Sequence, residues 1–269
     1  MQKTIFITGA STGLGKATAK LFHARGWKVI ATMRQPEKET ELSLLDNVWL
    51  LPLDVTDKDQ IAAAVAQAID LGGVDVVFNN AGYGLMAPLE ATSDEQISRQ
   101  LNTNLLGVIY VTKAFIPHFR ERNSGVFIST TSIGGIWGFP LHSLYHAAKF
   151  ALEGWSEGMS YELSLFNIAI KTVAPGAIRT EFLGRSLERN SLSAYKALED
   201  EMFSKIDTMM DVASPAELIA EVVYEAATDG KDQIRYIAGE DAKEMAAAHE
   251  QLGREAFRQE LKKQFLLQS

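Results

Sequence analysis

The residues with the clearest potential for chemistry are Tyr145 and Lys149, in the segment Tyr-His-Ala-Ala-Lys. Side chains four residues apart share one face of a helix, so the lysine ammonium could lie close to the tyrosine phenol. A tyrosine with a pKa of about 10 is almost fully protonated at neutral pH, and a nearby positive charge favours the phenolate. Such a pair could exchange a proton with a bound substrate near neutral pH. The same spacing also occurs where a half-exposed ring lies beside a solvated amine, so the interpretation needs support from the rest of the chain.

A glycine-rich turn follows the first predicted strand, residues 4–8. The turn reads Gly9-Ala10-Ser11-Thr12-Gly13-Leu14-Gly15, and a helical segment then runs through Arg25. In a strand–turn–helix unit, glycines let the backbone approach a pyrophosphate, and free N–H groups at the helix N-terminus bind it. The spacing differs from the common Gly-x-Gly-x-x-Gly fingerprint, so the turn by itself could be purely structural.

A second predicted strand, residues 27–32, ends beside Arg34. Where dinucleotide sites select NAD, an acidic residue near this strand end binds the ribose 2′-hydroxyl, and none is present here. The charge and planar donor fork of a guanidinium suit a 2′-phosphate. The sequence therefore predicts a preference for NADP(H), with NAD(H) still possible. The alternative for Arg34 is a solvated surface side chain.

Predicted strands alternate with helical segments along most of the chain. Further strands are predicted at 48–53, 74–78, 124–129 and 233–238, and one helix is predicted from Ser93 to about Arg122. This alternation predicts an α/β fold: a doubly wound parallel sheet (Rossmann fold) of about seven strands, with helices on both faces. Ligands bind beyond the carboxyl ends of strands in such sheets, so functional residues are expected in the loops that follow the strands.

Length and composition favour a single domain spanning residues 1–269, of which 46% are hydrophobic. A net charge of −8 argues against a nucleic-acid or anionic-membrane partner, because such partners require concentrated lysine and arginine. The absence of cysteine excludes disulfides and thiolate chemistry and fits a reducing, cytoplasmic compartment. No leader or membrane-spanning segment is expected. The five histidines show no ligand spacing with carboxylates, so no metal site is predicted.

Together, these motifs resemble those of the short-chain dehydrogenase/reductase family, whose members carry a Tyr-x-x-x-Lys active site on a single Rossmann domain. The resemblance covers almost the whole chain. It rests on Thr8-Gly9-x-x-x-Gly13-x-Gly15, Asp54-Val55, Asn79-Asn80-Ala81-Gly82, Asn104, Ser132, Tyr145-x-x-x-Lys149, Pro175-Gly176, Ile178 and Thr180, in that order.

The resemblance implies a cofactor site along the carboxyl edge of the sheet. It assigns to the pyrophosphate turn the residues Gly9, Ser11, Thr12, Gly13, Leu14 and Gly15, and to the 2′-phosphate Ser11 and Arg34. The adenine would lie against Asp54 and Val55, and the adenosine and its ribose against Asn80, Ala81 and Gly82. The nicotinamide end would be lined by Pro175, Gly176, Ile178 and Thr180, and the nicotinamide ribose would be bound by Tyr145 and Lys149.

The resemblance also implies a catalytic tetrad of Asn104, Ser132, Tyr145 and Lys149. In reduction, the nicotinamide would give hydride to a carbonyl carbon while Tyr145 donates a proton to the carbonyl oxygen; oxidation would run in reverse. Ser132 would hold the substrate oxygen. Lys149 would lower the tyrosine pKa and bind the ribose, and Asn104 would help anchor a water near Lys149. His146, beside the tyrosine, is not expected to act.

Specificity is expected in three segments. The apolar loop 133–141 could line a pocket, and 181–211 is predicted to be a long helical stretch that forms a substrate lid or packs as ordinary helix. Residues 241–269 are predicted to form a C-terminal helical extension. An apolar ketone, aldehyde or secondary alcohol is the expected substrate, although Arg185 and Arg189 leave an anionic one open.

The leading functional hypothesis is an NADP(H)-dependent carbonyl reductase or alcohol dehydrogenase. Two alternatives remain open: a non-catalytic NADP-binding sensor or scaffold, and an epimerase that uses transient oxidation. The resemblance further implies a homodimer or homotetramer that pairs through the helix bearing Tyr145 and Lys149.

Overall fold

The computed structural model describes residues 2–179 and 187–266 of the chain. The strands are β1 (Thr4–Thr8), β2 (Lys28–Met33), β3 (Val48–Pro52), β4 (Val76–Asn79), β5 (Gly84–Met86), β6 (Gly125–Thr130), β7 (Ile168–Pro175), β8 (Ile178–Arg179), β9 (Leu187–Arg189), β10 (Ser214–Pro215) and β11 (Arg235–Ala238). The α-helices are α1 (Gly13–Ala24), α2 (Lys58–Asp70), α3 (Asp94–Leu101), α4 (Gly107–Arg122), α5 (Ser143–Ser164), α6 (Lys196–Asp211), α7 (Ala216–Thr228), α8 (Glu240–Leu252) and α9 (Arg254–Phe265).

Seven strands form one parallel sheet in the order β11-β7-β6-β4-β1-β2-β3. The chain moves outward from β1 to β3 and then returns to β4 on the other side of β1. A crevice opens at such a reversal, and ligands bind there in doubly wound sheets. The predicted doubly wound parallel sheet is confirmed, and the observed ends of the predicted strands lie within two residues of their expected positions.

Each face of the sheet is covered by its own apolar core. In β1, Ile5 and Ile7 point towards α1 and α7, where they pack in a cluster that includes Phe22. Phe6 points to the opposite face and meets Phe115 of α4, with ring centroids 4.9 Å apart. A parallel strand buried on both faces needs apolar side chains on both, which explains the continuous apolar run in β1.

The predicted helix from Ser93 to Arg122 is interrupted. Ser93 caps α3 through a capping box with Gln96, as its position before two acidic residues suggests. Residues Asn102–Leu106 form a π-helical turn between α3 and α4. Such turns place an extra residue in the helix and occur often at functional sites.

The predicted helix over 181–211 is wrong for residues 187–192, and residues 181–186 lie outside the described part of the chain. Residues Leu187–Arg189 form β9, which pairs in parallel with β5, and the helix α6 begins only at Lys196. The carboxylate of Glu188 accepts hydrogen bonds from Gln96 and Arg99. Since these partners lie about ninety residues earlier in the chain, local helical spacing could not indicate the strand.

The two C-terminal helices pack over the end of the sheet that carries the loop after β6. Gly253, with φ of +76°, separates α8 from α9 and allows the chain to turn. Phe257, Leu261 and Phe265 of α9 are buried in a third apolar cluster with Trp137. None of the helices within residues 2–179 and 187–266 is long and apolar enough to cross a membrane.

Candidate active site

The glycine-rich turn after β1 packs directly on the loop after β4. Gly9 has φ of +68°, and a Cβ at this position would lie 2.8 Å from Ala81 Cα. A Cβ on Gly15 would lie 2.3 Å from the Gly9 carbonyl oxygen, so both positions require glycine. The turn places Ser11 and Thr12 ahead of α1 and Leu14 in its first turn.

The N-terminus of α1 is suited to an anion. Its N-cap residue is Thr12, whose side chain makes no capping hydrogen bond within the described part of the chain, and its first turn holds no acidic residue. The first N–H groups of the helix therefore stay available, and the helix dipole adds a partial positive charge. Thr12, Gly13 and Leu14 line the cavity described below.

Asn80 ties three strand ends together. Its Nδ2 donates to the carbonyl oxygens of Thr8 (3.2 Å) and Gly9 (3.1 Å), and its Oδ1 accepts from Thr130 Oγ1 (3.3 Å). Thr8 Oγ1 accepts in turn from the N–H groups of Asn80 (2.9 Å) and Ala81 (3.0 Å). The side chain thus holds the crevice between β1, β4 and β6 in shape, a role that the sequence did not indicate.

Ser132, Tyr145 and Lys149 converge on one cavity of about 280 Å³. Ser132 follows β6 and its Oγ accepts from the Gly134 N–H at 3.0 Å, and Tyr145 lies in the first turn of α5. Lys149, one turn further along, donates from Nζ to the Thr130 carbonyl oxygen at 2.7 Å. Its Nζ lies 5.6 Å from the centroid of the Tyr145 ring. The expected pair therefore shares one face of the helix, beside the glycine-rich turn.

Burial controls the ionisation of this pair. Burial raises the pKa of Tyr145 above its usual value, and the hydrogen bond with Ser132 only partly opposes this. Burial also lowers the pKa of Lys149 to about 8, against the opposing effect of the Glu153 carboxylate. Both directions favour a protonated phenol in the protein without cofactor, and the expected lowering of the tyrosine pKa by Lys149 stays a prediction.

Asn104 lies in the π-helical turn and is buried. Its Nδ2 donates to the Tyr83 carbonyl oxygen at 2.7 Å, and its Oδ1 accepts from the Tyr83 N–H at 3.0 Å. A Cβ on Gly82 would lie 3.0 Å from the same Oδ1. The side-chain amide thus fixes the loop after β4, while Asn104 also lines the cavity. Its expected role as a water anchor near Lys149 stays a prediction.

The loop after β7 is held by Asp241, at the start of α8. Asp241 Oδ2 accepts from the Ala177 N–H at 2.8 Å, and a Cβ on Gly176 would lie 2.1 Å from that oxygen. Pro175, Gly176, Ala177 and Ile178 all line the cavity. The sequence predicted that this loop lines the nicotinamide end, but it did not indicate that Asp241 holds the loop. Thr180 lies outside the described residues.

Arg34, Asp54 and Val55, assigned to the 2′-phosphate and the adenine, are not among the residues that line this cavity and lie beyond the carboxyl ends of β2 and β3. Arg34 is exposed, and Asp54 is half-buried with Oδ1 accepting from Thr56 N (2.9 Å) and Oγ1 (2.7 Å). Val55 is buried against α4, where a Cβ on Gly107 would lie 2.9 Å from Val55 Cγ2. These three residues are therefore separate from the cluster of Ser132, Tyr145 and Lys149.

His146 organises the loop between Ser132 and Tyr145. Its Nδ1 donates to the Gly134 carbonyl oxygen and its Nε2 accepts from the Phe139 N–H, both at 2.7 Å. Burial lowers its pKa, consistent with the neutral ring that these two bonds require. Both ring nitrogens of His146 are occupied by these hydrogen bonds, so neither is available to a substrate. His146 therefore positions the loop and takes no part in the chemistry.

The far end of the cavity is apolar. Its side chains come from the loop after β6, from β9, from α6 and from α9. They are Phe139, Leu187, Met202, Ile206, Met210 and Phe265. A site with these walls and the polar Ser132–Tyr145 pair at one end can hold an apolar molecule whose reacting oxygen faces the tyrosine.

Comparison with known proteins identifies the family. Residues 3–191 match the family model described as short chain dehydrogenase. The chain belongs to the short-chain dehydrogenase family. This short-chain dehydrogenase is therefore an oxidoreductase by family. Its curated relatives include an uncharacterised oxidoreductase of Schizosaccharomyces pombe, which is 38% identical over 77% of this chain and 89% of the relative.

Two solved structures extend the likeness to nearly the whole short-chain dehydrogenase chain. A short-chain dehydrogenase from Streptomyces avermitilis has a TM-score of 0.84 and 30% identity, over 97% of this chain and 95% of its own. Another, from Burkholderia cenocepacia and in complex with NADP, has a TM-score of 0.77 and 26% identity over 100% of both chains.

Proposed function

We propose that the protein is an NADP(H)-dependent oxidoreductase that transfers hydride between the nicotinamide and the carbonyl carbon of an apolar ketone or aldehyde, or the corresponding secondary alcohol. The observation that carries the proposal is the convergence of Ser132, Tyr145 and Lys149 on the cavity that joins the glycine-rich turn to an apolar end. Carbonyl reductase and alcohol dehydrogenase describe the two directions of this one reaction.

The residues around the turn fit a dinucleotide. Gly9 and Gly15 have no room for a Cβ, and the N-terminus of α1 offers uncapped N–H groups to a pyrophosphate. Arg34, exposed beyond β2, suits a 2′-phosphate, and the Burkholderia relative is in complex with NADP. The proposed cofactor residues are Gly9, Ser11, Thr12, Gly13, Leu14, Gly15, Arg34, Asp54, Val55, Asn80, Ala81, Gly82, Tyr145, Lys149, Pro175, Gly176 and Ile178, with Thr180 proposed from the sequence alone.

When bound, the nicotinamide supplies the hydride donor or acceptor. Tyr145 supplies or removes the proton at the substrate oxygen, and Ser132 holds that oxygen by a hydrogen bond. Lys149 already lies beside the tyrosine ring, and its charge favours the phenolate in the oxidation direction. Asn104 keeps the loop after β4 in place beside them.

The substrate class follows from the walls of the cavity. The side chains that β9, α6 and α9 contribute to the cavity, Leu187, Met202, Ile206, Met210 and Phe265, are all apolar, so burying an apolar body against them is favourable. Within residues 187–211, β9 and α6 cover this end of the cavity, and Phe265 of the C-terminal helix closes it. This arrangement supports 181–211 as a substrate lid and 241–269 as an extension of a single domain.

We also propose how the protein assembles and where in the cell it is located. The exposed Tyr161 on α5 and Leu165 directly after it, with 71% and 78% of their surfaces accessible, support a homodimer or homotetramer that pairs through this helix. The lack of cysteine supports a cytoplasmic location.

The function is tested with a panel of apolar ketones, aldehydes and alcohols, each assayed with NADPH or NADH by nicotinamide absorbance. Tyr145→Phe is expected to lower turnover by roughly a hundredfold or more while NADPH binding persists. Tyr110→Phe, on α4 and outside the cavity lining, is the matched control and should retain activity. Wild-type protein that binds NADPH but turns over no member of the panel would favour a sensor or scaffold. Product formed without net NADPH consumption would favour an epimerase.

A further inference from the structure

His142 lines the same cavity as Tyr145 and has no role in the chemistry described so far. It is the N-cap residue of α5, three positions before the tyrosine, so the two side chains lie on one face of the helix. Their ring centroids are 6.4 Å apart, with the rings nearly perpendicular. A molecule whose oxygen touches Tyr145 therefore extends past the His142 ring.

The hydrogen bonding of His142 determines which nitrogen carries the proton. Nδ1 lies 2.7 Å from the Pro140 carbonyl oxygen, which can only accept, so Nδ1 is the donor. Burial lowers the pKa of His142 to about 4, so the ring is neutral at physiological pH. In a neutral ring with Nδ1 protonated, Nε2 has a lone pair and no proton. His142 is therefore a hydrogen-bond acceptor at Nε2.

The cavity that this acceptor lines has a largely apolar wall. Within the described residues the hydrogen bond recorded for the His142 ring is the one from Nδ1 to Pro140, and none reaches Nε2. The side chains around this end of the cavity include Phe139, Leu187 and Met202, which offer no donor. A polar atom that loses water when a ligand fills the site, and gains no partner in return, costs free energy.

We propose that His142 Nε2 accepts a hydrogen bond from the substrate, so that the preferred substrate is an apolar ketone with a hydroxyl group on one of the carbons near its carbonyl. The inference rests on the proposed function and names its substrate class. A hydroxyl fits better than an ammonium because the described lining of the cavity contains no aspartate or glutamate to balance a buried positive charge.

The test uses a phenyl-substituted butanone, derivatives with a hydroxyl on each carbon in turn, and the matching methyl ethers, all assayed with NADPH. For the wild type, kcat/KM is expected to be about tenfold higher for at least one hydroxyketone than for the parent ketone and the methyl ether. The ether separates donation from mere polarity, because it can accept a hydrogen bond but cannot donate one. In His142→Leu the ratio should approach one, and in His142→Gln, which keeps an acceptor oxygen, it should partly recover.

Failure of this inference is distinguishable from failure of the proposed function. If ketones are reduced without preference for any hydroxyl position, or if ethers match the alcohols, His142 has no such role while the proposed function stands. If no ketone is reduced, the proposed function fails. Binding of the same series to the NADPH complex, followed by tryptophan fluorescence, then still tests His142. If His142→Leu binds the hydroxyketones more weakly than the wild type does, but binds the parent ketone and the ethers equally well, the inference is supported. If both proteins bind the hydroxyketones equally, it is overturned.

Discussion

The Lys149 amine lies 5.6 Å from the centre of the Tyr145 ring and gives its hydrogen bond to the Thr130 carbonyl oxygen rather than to the phenol. The lysine is thus held beside the tyrosine by the end of β6. Burial raises the tyrosine pKa and lowers the lysine pKa, so it favours the neutral form of both groups. Their spacing on the helix does not by itself indicate this effect.

We predict that Tyr145 titrates above its usual pKa of about 10 in the cofactor-free protein and that NADP⁺ lowers this value, because the oxidised nicotinamide adds positive charge. The phenolate absorbance of wild type minus Tyr145→Phe, followed against pH with and without NADP⁺, isolates this residue from the other six tyrosines. A phenolate that is already present near neutral pH without cofactor would contradict the prediction.

Replacement of Arg34 should change the choice of cofactor. Charge-assisted hydrogen bonds to a phosphate are strong, so Arg34→Ala is expected to lower kcat/KM for NADPH by roughly tenfold or more and to affect NADH little. Lys38→Ala, four residues further along and also exposed, is the control for a general loss of positive charge. Equal losses with both cofactors would show that Arg34 does not contact the 2′-phosphate.

Asp241 should act as a positioning residue for the loop after β7. Asp241→Asn keeps an oxygen that can accept from the Ala177 N–H, so its KM for NADPH should stay near that of wild type, whereas Asp241→Ala should raise it several-fold. Circular dichroism checks that both variants fold.

The contact with Gly176 gives this prediction a second readout. Gly176→Ala alone should impair cofactor binding, because its Cβ would lie 2.1 Å from the Asp241 carboxylate. In the Asp241→Ala background the same change should cost less, since the clashing atoms are gone. Strictly additive effects would mean that the two residues do not act through each other.

His146 should make stability depend on pH. Its folded pKa lies below the ordinary 6.5, so between these values the unfolded chain binds more protons and the free energy of unfolding falls as the pH drops below 6.5. His146→Leu removes two hydrogen bonds and should be less stable than wild type by about 2 kcal/mol at mildly alkaline pH. The difference in the free energy of unfolding between the two proteins, measured by urea unfolding, should become smaller as the pH falls. A difference that grows at low pH would show that the folded protein holds the His146 imidazole in its protonated form.

Most strands of the central sheet were predictable because their signals are local. Apolar runs in β1 and β2, the glycines after β1 and the helical spacing of Tyr145 and Lys149 each depend on residues close in sequence. Their order along the chain was enough to indicate the doubly wound sheet and the side of it on which the functional loops lie.

Contacts between distant residues decided the rest. Asp241 meets Ala177 across 64 positions, and Asn80 meets Thr8 across 72. The π-helical turn at Asn104 depends on its bonds to Tyr83, and β9 depends on partners near α3. No spacing rule relates such pairs, because the sheet brings them together only after its strands have assembled.

The sequence by itself determined six of the seven strands of the main sheet, where the glycine turn lies and that Tyr145 and Lys149 share a helix face, because periodicity and spacing act within a few residues. Only the tertiary structure decided the ionisation of that pair and the role of its two histidine neighbours. Burial and hydrogen-bond partners set both, and these arise when the loop after β6 closes on α5, with α6 and α9 covering it.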